Sequence, residues 1–276
     1  MTSAAIHRAD TSAPPREVEV SREGGVMVLT MARPEKRNAL SEAMLASLQA
    51  ALDAAAKDAD VRAVIIAAQG PAFCSGHDLK ELTAHRADPD KGRAYIDSLM
   101  RTCARMMRSI VTHPKPVIAA VQGIASAAGC QLVASCDLAV AADTAQFCTP
   151  GVNIGLLCST PMVALSRNVP RKRAMEMLLL GEMLPAHEAA DYGLINKAVP
   201  AERVMAEAMA FAQRIASKPP ATIAIGKEAF YRQIEMSLAD AYDYAAGVMV
   251  ENMLHAESKE GIGAFIEKRP PDWSKA

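Results

Sequence analysis

The sequence predicts an α/β protein: a core of alternating strands and helices through the first two thirds, then a layer built from helices alone. Three observations carry that prediction. Short apolar runs of strand length recur between segments with helical period up to about residue 160. After Pro161 nearly every segment reads as a helix. Apolar residues make up 51% of the 276 residues, enough to bury one substantial core. The expected organisation is a disordered tail over 1–15, an α/β core over 16–200 and a C-terminal helical oligomerisation region over 201–276.

The elements follow in order. Glu17 to Val20 alternates polar and apolar, Gly24-Gly25 turns, and Val26 to Met31 continues apolar, which is a hairpin. Ser41 is placed to cap a helix running to about Lys57, with Met44, Leu45, Leu48 and Leu52 on one face. Val61 to Ala67 is a buried strand ended by Gly70-Pro71, and Phe73 to Asp78 is a turn of small residues. Tyr95 to Ile110 has helical period and stops at His113-Pro114-Lys115-Pro116. Val117 to Val121 and Asp137 to Ala142 are further strands, with a helix starting at about Ala127 between them. Helices are expected over 171–181, 186–193, 201–217, 221–235, 238–255 and 258–267, with Pro219-Pro220 as a boundary.

Composition narrows the function. The net charge of -1 and the 4% of aromatic residues give neither the basic stripe nor the stacking platforms of a nucleic-acid binder. Two uncharged runs, Pro116 to Cys136 and Thr144 to Ser166, are long enough to span a bilayer. Pro, Gly, Gln, Asn and Ser interrupt them, so buried strands and tight turns are expected instead. The six cysteines form no CxxC pair and the histidines lack zinc spacing, which points to free thiols in a reducing cytoplasm and to no metal. The N-terminus has no apolar segment of a secretory signal. A Rossmann nucleotide fold is disfavoured because Ala125 to Gly129 has too few glycines, wrongly placed.

Two strand–turn–helix junctions could carry chemistry: Phe73-Cys74-Ser75-Gly76-His77-Asp78-Leu79, and Gly123 through Gln131. Small residues let backbone approach backbone, and a helix beginning there exposes unpaired N–H groups. Two such groups aimed at one point would stabilise a thioester oxygen that gains charge. Spacing alone leaves close helix–sheet packing as an equal explanation.

Taken together, Arg33-Pro34-Glu35-Lys36-Arg37-Asn38-Ala39-Leu40, the Phe73–Leu79 turn, Lys115 through Gly123 and Cys136-Asp137-Leu138 resemble the crotonase (enoyl-CoA hydratase/isomerase) superfamily, from about Val18 to Trp273. The stretch from Gly129 to Asp137, with Thr149 to Asn153 and Cys158 to Pro161, is similar to its "enoyl-CoA hydratase domain-containing" branch. The resemblance implies a spiral of ββα turns, a homotrimer or hexamer, an acyl-CoA thioester as substrate and no other cofactor. It places the oxyanion N–H groups on His77 and Ala128. It matches Arg33, Lys36, Arg37 and Lys80 to CoA-contacting positions. Lys268 matches a lysine that reaches CoA across a subunit boundary.

The usual acids are missing. The two glutamate positions of hydratases hold Gln131 and Gly151, and an aspartate position of other members holds Ser159. Hydration needs a base for water and a proton for the α-carbon, each contributing about 10²–10⁴-fold, so little hydratase activity is expected. Gly151 is read as leaving room for a recruited bicarbonate. Other candidates have plainer readings: a hydrogen-bonded His77 imidazole, solvated Glu81 and His85, inert Cys130 and Cys148, and Ser159-Thr160 as a helix cap. Two functions stay open: a hydratase- or isomerase-like enzyme of fatty acid metabolism, and a non-catalytic acyl-CoA-binding or assembly-partner protein.

Overall fold

The computed structural model describes residues 17–273; the expected tail over 1–15 lies outside them. In chain order come β1 (Val18–Glu23), β2 (Val26–Met31), α1 (Glu42–Lys57), β3 (Ala63–Ala68), β4 (Ala72–Cys74), α2 (Leu79–Ala84), α3 (Arg93–Val111), β5 (Val117–Val121), β6 (Ile124–Ser126), α4 (Ala128–Ser135), β7 (Leu138–Ala142), β8 (Gln146–Cys148) and α5 (Pro161–Asn168). Then follow α6 (Arg171–Leu180), β9 (Leu184–Pro185), α7 (Ala186–Asp191), β10 (Lys197–Val199), α8 (Val204–Ala216), α9 (Pro220–Gln233), α10 (Leu238–Leu254) and α11 (Ala256–Ile266).

Two sheets organise the core. The larger has the order β1-β2-β3-β5-β7-β10 and the smaller β4-β6-β8-β9. Strands β3, β5 and β7 of the first are each followed by a short strand of the second and then by a helix, in three successive ββα turns. Apart from the β1–β2 hairpin, neighbours in the large sheet run parallel. Parallel strands covered on both faces read as unbroken apolar runs, which is why Ala63 to Ala67 and Val117 to Val121 are buried throughout.

The helices close over this frame. Ser41 accepts from the Met44 amide at 3.1 Å and caps α1, whose Met44, Leu45, Leu48, Leu52 and Ala55 are buried. Lys115 Nζ ends α1 by donating to the carbonyls of Ala55 at 2.5 Å, Ala56 at 3.1 Å and Asp58. His113 Nε2 lies 3.0 Å from the Leu52 carbonyl, and its Nδ1 lies 2.9 Å from the Lys115 carbonyl and 3.1 Å from the Lys115 amide.

Three sequence expectations change. The last third is not purely helical, because β10 adds a parallel strand to β7. Helix α8 buries Val204, Ala208 and Ala212 and packs on β3, β5 and β7, so the outer helical layer begins at Pro220 rather than at residue 201. Ser159 and Thr160 do not cap α5: Ser159 Oγ donates to the Leu157 carbonyl at 3.2 Å, and Thr160 makes no side-chain cap. The two uncharged runs resolve into short strands and turns, and among the described residues no helix is long and apolar enough to cross a membrane.

Candidate active site

The two junctions picked out in the sequence meet. Gly76 has φ +96°, a conformation open to glycine, and a methyl placed on it would lie 3.0 Å from Ala127 Cβ and 3.5 Å from the Ala128 nitrogen. The His77 and Ala128 amides therefore sit side by side, one just after β4 and one opening α4. Among the described residues neither N–H donates to a backbone or side-chain acceptor.

Loops on both sides hold this arrangement. Asn38 is fully buried. Its Nδ2 donates to the carbonyls of Gln69 at 2.9 Å and Ala72 at 2.8 Å, and its Oδ1 accepts the Arg33 amide at 2.9 Å. The Ser75 amide donates to the Arg37 carbonyl at 3.0 Å, and the Leu40 amide to the Gly76 carbonyl at 2.8 Å. The 33–40 segment is thereby stitched along the turn that carries His77. On the other side Ser126 pairs with Cys148, and the Ala127 amide donates to the Cys148 carbonyl at 2.9 Å. Ala127 itself has φ 51° and ψ −115°, a strained backbone for a residue with a Cβ, costing on the order of 1–3 kcal/mol. That kink breaks the chain direction between β6 and α4, so the Ala128 N–H opens the helix. Nothing in the sequence marks Ala127 as strained; Asn38 lies in the Arg33 to Asn38 loop that the resemblance matches to CoA contacts, and in the structure its side chain bonds to backbone instead.

The side chains fall as follows. His77 Nδ1 lies 3.3 Å from the Leu40 carbonyl, which can only accept, so Nδ1 carries the proton and Nε2 keeps a bare lone pair. Burial pushes the imidazole pKa down and keeps the ring neutral. Nε2 is buried and has no partner. Gln131, one helical turn after Ala128, is 4% exposed, and its Oε1 is also buried and unpartnered. Glu81 Oε2 accepts the Glu42 amide at 3.1 Å, and His85 pairs with Asp88 and stacks on Tyr95 at 3.6 Å, so both are occupied structurally. Cys130 and Cys148 are buried free thiols, and burial raises both pKa values, which keeps them protonated.

Gly151 corrects the sequence reading. A Cβ there would lie 2.4 Å from the Leu156 carbonyl oxygen and 3.0 Å from Cys158 Sγ. The position leaves no room for a carboxylate stem, because the 156–158 chain fills the space where its Cβ would stand. Of the cations matched to CoA, Arg33 is taken up by Glu17 and by Glu35 at 2.6 Å. Lys36, Arg37 and Lys80 are exposed beside the site and make no ion pair among the described residues, and Lys268 is exposed at the far end of the chain. Two open cavities, about 350 Å³ between Lys57 and Ala224 and about 590 Å³ beside Arg173 and Tyr192, lie away from these amides. No group of three His, Cys, Asp or Glu among the described residues could hold a metal.

Comparison with known proteins identifies the family and the fold. Residues 21–276 match the family model described as enoyl-CoA hydratase/isomerase. The mouse mitochondrial enoyl-CoA hydratase domain-containing protein 3 is 48% identical, over 96% of this chain and 87% of its own. The crystal structure of its human counterpart superposes with a TM-score of 0.89 at 47% identity, covering 94% of this chain and all of that one. A Mycobacterium smegmatis enoyl-CoA hydratase structure gives the same TM-score at 50% identity, covering 94% and 99%.

Proposed function

This chain belongs to the enoyl-CoA hydratase/isomerase family, and from that premise we propose that it binds an acyl-CoA thioester with the carbonyl oxygen between the N–H groups of His77 and Ala128. The observation that carries the reading is the pair of adjacent amides without an acceptor. Two fixed donors stabilise a thioester oxygen most when it becomes an enolate, and they need no rearrangement to do so. Lys36, Arg37 and Lys80 would meet the CoA phosphates, with Lys268 supplied by a neighbouring copy; Arg33 would serve instead to brace the loop. The exposed apolar side chains of α10 and α11 suit a homotrimer or hexamer. Six unpaired cysteines suit a reducing compartment, whether the cytoplasm, as the sequence suggests, or the mitochondrion, as the names of vertebrate relatives have it.

No carboxylate stands at Gln131, Gly151 or Ser159, so we expect slow hydration of enoyl thioesters at best. The blocked space at Gly151 favours a second reading, a protein that binds acyl-CoA without turning it over. One experiment tests the shared premise. Butyryl-CoA should bind about tenfold more tightly than S-butyl-CoA, a thioether lacking the carbonyl, because two backbone hydrogen bonds contribute about 0.5–1.5 kcal/mol each. Equal affinities by calorimetry would remove the oxyanion hole from the account. Mass spectrometry of crotonyl-CoA after incubation then separates enzyme from binder.

A further inference from the structure

A cavity of about 350 Å³ opens where the end of α1 and the starts of β3 and β5 meet the joint between α8 and α9. Strands β3 and β5 run parallel away from it, towards β4 and β6, which lead into the His77 and Ala128 amides. The six residues of β3, roughly 17–20 Å of strand, therefore separate the cavity from those amides. Val61, Ile215 and Ile223 give the cavity an apolar wall. Four cations also line it, Lys57, Arg62, Lys115 and Lys218, and no Asp or Glu does.

Three of these cations keep free donors. Lys115 Nζ is spent on the carbonyls that end α1. Lys57 closes α1 and Lys218 follows α8; both are exposed, at helix ends that favour a positive charge. Arg62 sits at no helix end. Its stem packs on Gly25, where an added methyl would lie 3.0 Å from Arg62 Cγ. Among the described residues Lys57, Arg62 and Lys218 make no ion pair, and the Arg62 guanidinium meets no acceptor. Asp58 pairs with Arg22, and Glu257 accepts the amides of Ala221 at 3.0 Å and Thr222 at 2.8 Å, so neither carboxylate answers these charges. Burial lowers the Lys115 pKa, and the charge of Arg62 lowers it further against the pull of Asp58. Crowded cations repel, and an anion among them removes that repulsion. A guanidinium fork matches a carboxylate or a phosphate through two parallel hydrogen bonds. The apolar wall asks for an apolar body, and the volume exceeds the ~150 Å³ that takes up benzene. We propose that this cavity binds an organic anion, a carboxylate or phosphate head on a compact apolar body, with Arg62 on the head and Lys57 and Lys218 beside it. The proposal stands apart from the thioester reading. A ligand there touches the core at α1 and β3 and the α8–α9 joint at once, and so fastens the outer helices to the core.

The test is calorimetry on the full-length protein with phenyl phosphate, benzoate, benzyl alcohol and inorganic phosphate. Benzyl alcohol has the body without the charge, and inorganic phosphate the charge without the body. At least one aromatic anion should bind about tenfold more tightly than both controls, and the tighter of the two names the head group. Arg62→Gln should weaken that anion about tenfold, Arg62→Lys less, and Lys57→Gln with Lys218→Gln about threefold. The methyl resonances of Ile215 and Ile223 should move when the anion is added to wild type and stay put in Arg62→Gln. The anion should also raise the Tm of wild type, since it binds only the folded chain. Butyryl-CoA should bind Arg62→Gln as it binds wild type. A wild-type protein that binds none of the four, or that holds either control as tightly as the anions, overturns the proposal and leaves the thioester reading standing. So does an anion affinity unchanged in both Arg62→Gln and the double lysine variant. A loss of butyryl-CoA binding in Arg62→Gln would make the cavity part of the thioester site and overturn the proposal as well.

Discussion

From Phe73 to Gly151 the molecule hides its apolar side chains and leaves selected polar atoms unpaired, whereas from Pro220 to Ile266 it pairs its buried polar atoms and leaves apolar side chains in the open. Helix α4 is buried along its whole length, while α9 and α10 contain no fully buried residue. What fastens the outer helices is polar. Lys227 Nζ meets Asp137 Oδ2 at 2.7 Å and the Ile110 carbonyl at 3.0 Å, and Tyr231 donates to Asp137 Oδ1 at 3.0 Å. Buried Glu257 caps α9 through the amides of Ala221 at 3.0 Å and Thr222 at 2.8 Å. Leu254 and Phe265 meanwhile stay 77% and 85% exposed. Unpaired polar atoms in a dry core suit a ligand; unpaired apolar atoms on a surface suit another protein surface.

Glycines offer the sharpest way to break that contrast. A Cβ on Gly129 would lie 2.2 Å from the Cys74 carbonyl oxygen, where α4 presses on β4, whereas one on Gly247 in α10 would meet nothing within 4 Å. Gly129→Val should cost about 3 kcal/mol or more through overpacking, read as a fall in Tm or a loss of folded protein. Gly247→Ala should raise stability by about 0.5–1 kcal/mol through helix propensity. A stable Gly129→Val would mean the two junctions are looser than the structure has them.

Next in size is the polar anchor. Lys227 and Asp137 are both largely hidden, and removing one partner leaves a buried charge without its counter-ion. Lys227→Met should cost about 3 kcal/mol in urea denaturation, and adding Asp137→Asn should restore part of it. If the single variant loses nothing, the outer helices are held by apolar contacts with other copies. The exposed apolar face supplies a further test: Leu254→Glu with Phe265→Glu should lower the mass seen by light scattering with little change in far-UV circular dichroism. An unchanged mass would move the assembly surface elsewhere.

The sequence was most legible where period and caps act locally. The β1–β2 hairpin, the Ser41 cap of α1 and the strand Val117–Val121 all follow from patterns within a dozen residues. The short strands β4, β6 and β8 were hidden, since three residues are too few to show a period and their pairing is between distant segments. The 201–217 segment shows its helical period, but the sheet it packs on comes from residues far upstream, so the period alone does not show that it joins the core. At the candidate site the residue types could be read, but not their surroundings. Gly151 looked like free space because glycine has no side chain; what fills that space is the carbonyl of Leu156, five residues on, folded back over it.

The smallest effect expected is on pH dependence, and it separates the same two regions. Burial pushes the pKa of His77 and of His113 down, and both lie in the core. In the unfolded chain each titrates near ~6.5. Below that pH the unfolded chain takes up protons that the folded chain, with its lower pKa, still refuses. Stability is therefore full above about pH 6.5 and falls as the pH drops towards the folded values, by at most about 1.4 kcal/mol per pH unit for each group. Urea denaturation at pH 7.5 and 5.5 should show the loss, and it should be smaller in His77→Phe, where one of the two imidazoles is gone. Carboxylates also titrate towards the acid end, which is why the comparison is made between wild type and variant rather than between two pH values alone. An unchanged pH slope in His77→Phe would mean that His77 takes up its proton in the folded protein as readily as in the unfolded chain. Nε2 would then not be the buried, neutral nitrogen that the structure shows.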